Sequence, residues 1–278
     1  MPRLPAWRQR SRRIFAASSA STWNRNRAIT HNRRKCRAAG IAVPWVARWL
    51  HRAEIFKHNA IFPLDEQSFT SCAAALARSS LDSEWPDLSP GKALLIRGWL
   101  SPAESAAMYE ACLRLLQWEQ PLVRLFGKSH PIPRRHAFVG DPDVIYRWSG
   151  LEQRPQSWVE PLDIIRSKLN DAGFRFNSVL VNHYRDGKDS MGWHADNEKE
   201  LGEWPVVATV SLGQQRRLGF KRRDGTGRLS LDLPDGSLLL TSGAVQRYWL
   251  HGVAKSARKL GGRISLTFRH INARYMVG

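Results

Sequence analysis

Two stretches of the chain repeat apolar residues at the spacing of an amphipathic helix. Between residues 108 and 116, Met, Cys and two Leu recur at positions i, i+4, i+7 and i+8, so they share one helical face. The segment "SPAE" at 101–104 begins this helix, because its serine and glutamate can form a capping box. The same periodicity predicts a second helix over 158–172, which stops at Gly173.

Short strands are predicted elsewhere in the chain. The apolar run "KALLIRGWL" at 92–100 predicts a buried strand. Beyond the second helix, short runs bounded by turn signals such as "PDGS" predict strands at 178–184, 205–212, 215–221, 226–232, 236–241, 246–252 and 262–270. Helices followed by closely spaced strands indicate an α+β chain, with a sandwich or jelly-roll core and flanking helices.

Bulk properties limit the classes of protein to consider. The chain has 278 residues, enough for one large or two modest domains with a substantial core. No apolar run approaches the roughly 18 residues of a membrane span, so we expect no membrane segment. The three cysteines are scattered and lack C-x-x-C spacing, which disfavours a disulfide framework or a cysteine zinc site.

The positive charge is concentrated at the beginning of the chain. Residues 1–53 hold 13 of the 43 Lys and Arg and none of the 24 Asp and Glu, which leaves 30 − 24 = +6 of the net +19 for the remainder. We expect 1–60 to be a disordered basic extension; a nucleic-acid-binding arm and an organelle transit peptide are the alternatives. A lead-in at 61–91 and a single folded domain at 92–278 complete the predicted organisation.

A candidate metal site follows the strand predicted at 178–184. If His194 and Asp196 in "GWHAD" lie on an extended segment, both side chains point to the same face. His251 in "RYWLHGV" supplies the best third ligand from a later strand. Two histidines and one carboxylate form the facial arrangement of non-haem Fe(II) oxygenases. The alternative is a hydrogen-bonded loop pair, since H-x-D alone is a weak signal.

A candidate anion site lies on the last predicted strand, "RISLTFR" at 263–269. Its two arginines and two hydroxyl residues alternate with apolar ones, so the polar side chains share one face. Burying two guanidiniums is costly unless an anion meets them, and a dicarboxylate suits their forked geometry. Asn182 and Tyr184 share a face on an earlier strand and could bind the same ligand. The alternative is a surface strand with solvated arginines.

These blocks resemble the AlkB family of Fe(II)/2-oxoglutarate-dependent dioxygenases. N-x-Y, H-x-D, the distal His and R-x-x-x-x-x-R occur in the family's order, and the resemblance covers residues 92 to 271. It implies a double-stranded β-helix, or jelly-roll, core with a nucleotide-recognition lid. It also implies that Fe(II) is held by His194, Asp196 and His251, and that 2-oxoglutarate is held by Asn182, Tyr184, Arg263, Thr267 and Arg269. Ser265 departs from the Asn of many relatives and is left out of the predicted site.

The region 120–155 resembles the nucleotide-recognition region of AlkB homologues that repair duplex DNA. The resemblance implies that Phe126, before Gly127 and Lys128, fills the gap left by an extruded base, with Lys128 and Arg134 on phosphates. Further residues are implied to contact the flipped base: Tyr146, Trp148, Ser149, Asn197 and Glu198. Core packing of Phe126 and Trp148, and a solvated loop for Asn197 and Glu198, are the alternatives.

The resemblance therefore implies an enzyme that demethylates 1-methyladenine or 3-methylcytosine in DNA. It would consume 2-oxoglutarate and O₂ and release succinate, CO₂ and formaldehyde. The expected partner is duplex DNA with a flipped methylated base, and the expected state is a monomer, without a membrane. The compartment would be the cytoplasm of a bacterium, or the nucleus or an organelle of a eukaryote. The alternatives are an RNA or single-strand demethylase of the same family and a non-catalytic nucleic-acid-binding relic.

Overall fold

The computed structural model describes residues 64–78, 80, 82–125, 127–148 and 151–272, with the backbone alone at 125, 146–148, 151 and 152. The helices in this part of the chain are α1 Glu66–Ala77, α2 Pro102–Leu115, α3 Glu160–Asp171 and α4 Gly243–Tyr248. The strands before α3 are β1 Ser83–Glu84, β2 Asp87–Leu88, β3 Gly91–Ile96, β4 Leu122–Leu125, β5 Lys128–Pro131, β6 Arg135–Gly140, β7 Tyr146–Trp148 and β8 Leu151–Gln153. Those after it are β9 Ser178–Tyr184, β10 Met191–His194, β11 Val207–Gly213, β12 Arg216–Arg222, β13 Arg228–Leu233, β14 Leu238–Thr241, β15 Trp249–Val253 and β16 Arg263–Arg269.

Helix α2 begins where the capping box predicts. The Ser101 hydroxyl accepts a hydrogen bond from the Glu104 backbone N–H, and the Glu104 carboxylate accepts one from the Ser101 backbone N–H. This reciprocal pair satisfies two backbone donors that have no partner within the helix. Met108 and Cys112 are buried, as the helical periodicity predicts.

Two antiparallel sheets form the predicted jelly-roll core. The larger sheet has the strand order β1-β3-β14-β11-β16-β9-β6, with β2 also paired to β3. The smaller sheet has the order β10-β15-β12-β13. One hydrophobic cluster joins them, because Leu95 and Tyr184 of the larger sheet are buried with Phe220 and Val253 of the smaller one.

Strand β16 lies in the middle of the larger sheet and is buried on both faces. On its outer face Phe268 contacts Phe176 and stacks on Trp158, at ring-centroid distances of 6.2 and 6.4 Å. Its other face carries the polar residues of "RISLTFR". The alternative of a surface strand with solvated arginines is therefore wrong, since Arg263 and Arg269 are only 2% and 5% exposed.

Several elements differ from the sequence prediction. The lead-in at 61–91 contains α1, β1 and β2, which the sequence did not predict. The strand expected at 246–252 is the end of α4 followed by β15, because burial of Ala244, Val245 and Gln246 overrides strand propensity. The extension at 1–60 lies outside the described residues. No helix in the described part of the chain is both long and apolar enough to cross a membrane.

Candidate active site

A pocket between the two sheets collects every residue that was predicted to bind metal or cosubstrate. Strands β10 and β15 of the smaller sheet contribute to it, and so do β9 and β16 of the larger one. The predicted residues that line it are Asn182, Tyr184, His194, Asp196, His251, Arg263, Thr267 and Arg269. Ser265, which the sequence analysis left out, also lines the pocket.

His194, Asp196 and His251 are close enough to share one metal ion. Their nearest ligand atoms all lie within 4.8 Å of one another, and the two imidazole centroids are 4.3 Å apart. His194 and His251 are cross-strand partners in β10 and β15, which places their side chains together. The strand ends at His194, so Asp196 lies in the following turn and not on the predicted extended segment.

Each histidine has a feature that suits it to bind a metal. The Nδ1–H of His194 donates to the Gly192 carbonyl at 2.9 Å, which leaves Nε2 as the metal-binding atom. Burial, with repulsion from His194, lowers the pKa of His251 to about 3. The His251 imidazole is therefore uncharged at neutral pH, and its Nε2 lies 3.7 Å from Asp196 Oδ2.

Asp196 is held as a buried carboxylate. Burial alone would raise its pKa, but the positive charge of Arg269 outweighs that effect and lowers it. Arg269 Nη2 forms an ion pair with Asp196 Oδ1, and both side chains are almost fully buried. The Asp196 backbone N–H donates to Gln246 Oε1 at 3.1 Å. A dication such as Fe(II) suits two imidazoles beside this carboxylate.

Arg263 carries a buried charge that has no ion pair within the described residues. Its Nη2 donates to Ser211 Oγ at 2.9 Å, whereas its Nε is buried without a hydrogen-bond partner. Burial lowers the pKa of Arg263, which reflects the cost of an uncompensated guanidinium. A carboxylate from a ligand in the pocket would supply the missing counter-charge. The residues present therefore fit a dicarboxylate cosubstrate.

Tyr184 lies close to two guanidiniums. The guanidinium carbons of Arg263 and Arg216 lie 5.4 and 5.6 Å from its ring centroid. Arg216 is satisfied by the backbone, since it donates to the carbonyls of Asp186, Asp189 and Ala254. Arg263 is thus the guanidinium that remains for an anion.

Arg134 is buried beside a residue of the pocket. It was expected on a DNA phosphate, but its side chain is only 6% exposed and Nε donates to Asn182 Oδ1 at 2.8 Å. The guanidinium thus contacts a predicted cosubstrate residue, and its contact with a DNA phosphate stays a prediction. Because Oδ1 of Asn182 is engaged, its amide N–H groups are the atoms left for a ligand in the pocket.

The other predicted substrate residues lie apart from the pocket or outside the described chain. Gly127, with φ +78°, and Lys128 are exposed at the end of the hairpin formed by β4 and β5. Asn197 lines a neighbouring cavity, and Glu198 is half-buried beside it in the chain. Phe126 and Ser149 lie outside the described residues. Tyr146 and Trp148 belong to β7, where the backbone alone is described.

Gln246 is a pocket residue that the sequence analysis missed. It accepts from the Asp196 backbone, donates to Thr241 Oγ1 at 2.9 Å and lines both cavities. No spacing rule could have found it, because it lies in a helix where a strand was predicted. The fold alone brings it to a metal ligand that precedes it by 50 residues.

Comparisons with known proteins agree with this geometry. Residues 92–269 match the model of the 2OG-Fe(II) oxygenase superfamily. The DNA oxidative demethylase ALKBH2 of Mus musculus is 38% identical over 158 residues, which cover 54% of this chain and 66% of that protein. The Arabidopsis thaliana protein of the same name is 33% identical over 236 residues, which cover 73% and 74%. Alpha-ketoglutarate-dependent dioxygenase alkB homolog 3 of Rattus norvegicus is 32% identical over 197 residues, which cover 66% of each. The chain thus spans about two thirds of the mouse relative's length.

Proposed function

The chain belongs to the AlkB family within the 2OG-Fe(II) oxygenase superfamily, and we propose that it demethylates 1-methyladenine and 3-methylcytosine in DNA. The observation that carries the proposal is one pocket that joins a three-ligand metal site to a buried, unpaired arginine. The names of the ALKBH2 relatives support DNA as the substrate.

The residues of the pocket divide between the metal and the cosubstrate. His194, Asp196 and His251 would hold Fe(II). Arg263 and Arg269 would bind the carboxylates of 2-oxoglutarate, with further hydrogen bonds from Asn182, Tyr184 and Thr267. When bound, iron with 2-oxoglutarate and O₂ supplies the oxidation of the N-methyl group, which leaves as formaldehyde while 2-oxoglutarate becomes succinate and CO₂.

The protein itself positions the reactants and excludes water. Arg269 keeps Asp196 ionised, and the Gly192 carbonyl orients His194. The apolar side chains of Leu218, Phe220 and Val253 line the same pocket, so they limit access of bulk water to it. A methylated base must leave a duplex to reach a site buried between two sheets.

The proposed substrate is duplex DNA, bound by a monomeric enzyme. In this proposal Phe126 fills the gap left by the flipped base, Lys128 contacts a phosphate, and Tyr146, Trp148 and Ser149 hold the base. Asn197 and Glu198 would contact its polar edge. The exposure of Gly127 and Lys128 at the end of a hairpin supports a role at the DNA surface, since a hairpin end can enter a gap that a flat surface cannot.

Reconstitution with defined components tests the proposal. The protein is loaded anaerobically with Fe(II) and 2-oxoglutarate, O₂ is admitted with oligonucleotides carrying 1-methyladenine or 3-methylcytosine, and the bases are analysed by mass spectrometry. Loss of the methyl group is expected from the wild type. His194→Ala, Asp196→Ala and His251→Ala should each abolish it, whereas DNA binding should survive, because phosphate contacts supply most non-specific affinity. Methyl groups that persist with the metal-loaded wild type would refute the proposed activity.

A further inference from the structure

An exposed tryptophan lies on the outer wall of the smaller sheet, next in sequence to a metal ligand. Trp193 is 48% exposed. It belongs to the edge strand β10, in which the next residue, His194, faces the pocket. Single exposed aromatic side chains are normal on protein surfaces, so the surroundings of this ring decide whether it has a function. The active site described above does not use Trp193.

The indole of Trp193 reaches across β15 to the backbone of β12. A Cβ atom at Gly219 would come within 2.9 Å of Trp193 Cη2, so the ring rests directly on the backbone of β12. Gly219 is the cross-strand partner of Gly252 in β15, the strand that lies between β10 and β12. Gly219 leaves room for the end of the ring, and about half of the Trp193 side chain is open to solvent.

Basic side chains surround the ring on the same face. Lys221 Nζ lies 4.8 Å from the centroid of Trp193. Lys221 pairs with Arg228 across β12 and β13, so both side chains leave the same face of the sheet. Neither cation has an ion pair within the described residues, whereas the adjacent Arg217 is bound to Asp232 at 3.0 Å. We call Trp193, Gly219, Lys221 and Arg228 the outer platform.

We propose that the outer platform binds an unpaired nucleobase of a single-stranded nucleic-acid segment. An aromatic plate on a sheet surface stacks any base, and flanking cations attract the phosphates on either side of it. A base within a duplex is already stacked on its neighbours, so the occupant must be single-stranded. The inference rests on the proposed action on nucleic acid and adds a second contact, outside the pocket, for a single-stranded segment next to the duplex substrate.

Binding of a single-stranded oligothymidylate to the full chain tests the platform. This probe carries no methylated base, so a failure of the demethylation assay and a failure of the platform are independent results. Fluorescence anisotropy should show affinity reduced between about five-fold and about a hundred-fold in Trp193→Ala. Trp193→Phe should retain most of the affinity, because phenylalanine also stacks. Trp85→Ala is the matched control, since Trp85 is 45% exposed elsewhere on the surface.

Lys221→Gln provides a second measurement that keeps the tryptophan. If Lys221 neutralises one phosphate, the slope of log affinity against log salt should become shallower by about 0.7. Affinity equal to the wild type in Trp193→Ala, or losses in Trp85→Ala as large as in Trp193→Ala, would overturn the proposal. A change in sedimentation of Trp193→Ala with unchanged affinity would also overturn it and assign the surface to a second copy of the chain.

Discussion

Arg269 and Asp196 form an ion pair in the interior of the protein, where the three-residue metal site meets the arginine strand β16. The pair means that the two arginines of "RISLTFR" are not equivalent. Arg269 compensates the carboxylate that would bind iron, whereas Arg263 has no counter-charge within the described residues. From the sequence, both arginines were predicted only as cosubstrate ligands. The structure adds a direct effect of Arg269 on the metal site.

Arg269→Ala is expected to weaken binding of both Fe(II) and 2-oxoglutarate. Removing the guanidinium leaves Asp196 buried without its main compensating charge, which favours the protonated carboxyl that cannot bind metal. The loss of one charge-assisted hydrogen bond costs ~1.5–3 kcal/mol, which raises the 2-oxoglutarate requirement roughly ten-fold or more. Competition with a chelator measures the metal affinity. Arg269→Lys, which keeps the charge, should restore part of the metal affinity; an unaltered metal dissociation constant in Arg269→Ala would contradict the inferred coupling.

Arg263→Met should affect the cosubstrate without affecting the metal. Methionine fills much of the buried volume, but it lacks the guanidinium that is proposed to bind a carboxylate of 2-oxoglutarate. The loss of one charge-assisted hydrogen bond costs ~1.5–3 kcal/mol. The 2-oxoglutarate concentration at half-saturation should therefore rise roughly ten-fold or more. Arg114→Ala, at an exposed position in α2, is the control. Identical saturation curves for Arg263→Met and wild type, with normal thermal stability, would mean that β16 is structural.

Gln246→Ala should weaken metal binding even though Gln246 is not a ligand. Its side-chain oxygen fixes the backbone of Asp196 and its amide group is anchored on Thr241. Residues that orient metal ligands typically change metal affinity by about 10- to 100-fold. The measurement is the Fe(II) dissociation constant, with the exposed Gln215→Ala as the control. Equal constants for the two variants would remove Gln246 from the metal site.

Phe126→Ala should separate duplex from single-strand repair. A residue that fills a gap in a base stack matters only where a continuous stack exists, so the loss should be a few kcal/mol with duplex DNA and small with single strands. The measurement is kcat/KM on matched oligonucleotides carrying 1-methyladenine. Trp148→Ala, if that residue grips the base itself, should impair both substrates alike. Equal losses on the two substrates in Phe126→Ala would instead favour a single-strand or RNA demethylase.

The pocket could be predicted from sequence because strand alternation and residue chemistry determine it. N-x-Y and R-x-x-x-x-x-R place polar residues on one face of a strand, and β9 and β16 are indeed neighbours that bring Asn182 opposite Ser265. The histidine pair was predicted in the same way, since His194 and His251 project from adjacent strands. The capping box of α2 is equally local, so four residues were enough to place its beginning.

The features that sequence missed depend on tertiary contacts. Gln246 reaches Asp196 only because α4 interrupts a segment with the pattern of a strand. Arg134 resembles a surface cation in sequence, but the neighbouring strands cover it and Asn182 binds it. The platform around Trp193 was also missed, because the ring contacts Gly219 on β12, a strand that approaches β10 only after folding.

The coupling between succinate and formaldehyde tests the central claim most directly. With the Fe(II)-loaded enzyme, O₂ and an oligonucleotide carrying 1-methyladenine, both products are quantified in the same reaction for wild type and Asp196→Asn. The account predicts one formaldehyde for each succinate in the wild type, no formaldehyde when the methyl group is absent, and neither product above background in Asp196→Asn. Undiminished formaldehyde from Asp196→Asn, or succinate from the wild type while the methylated base remains intact, would contradict it.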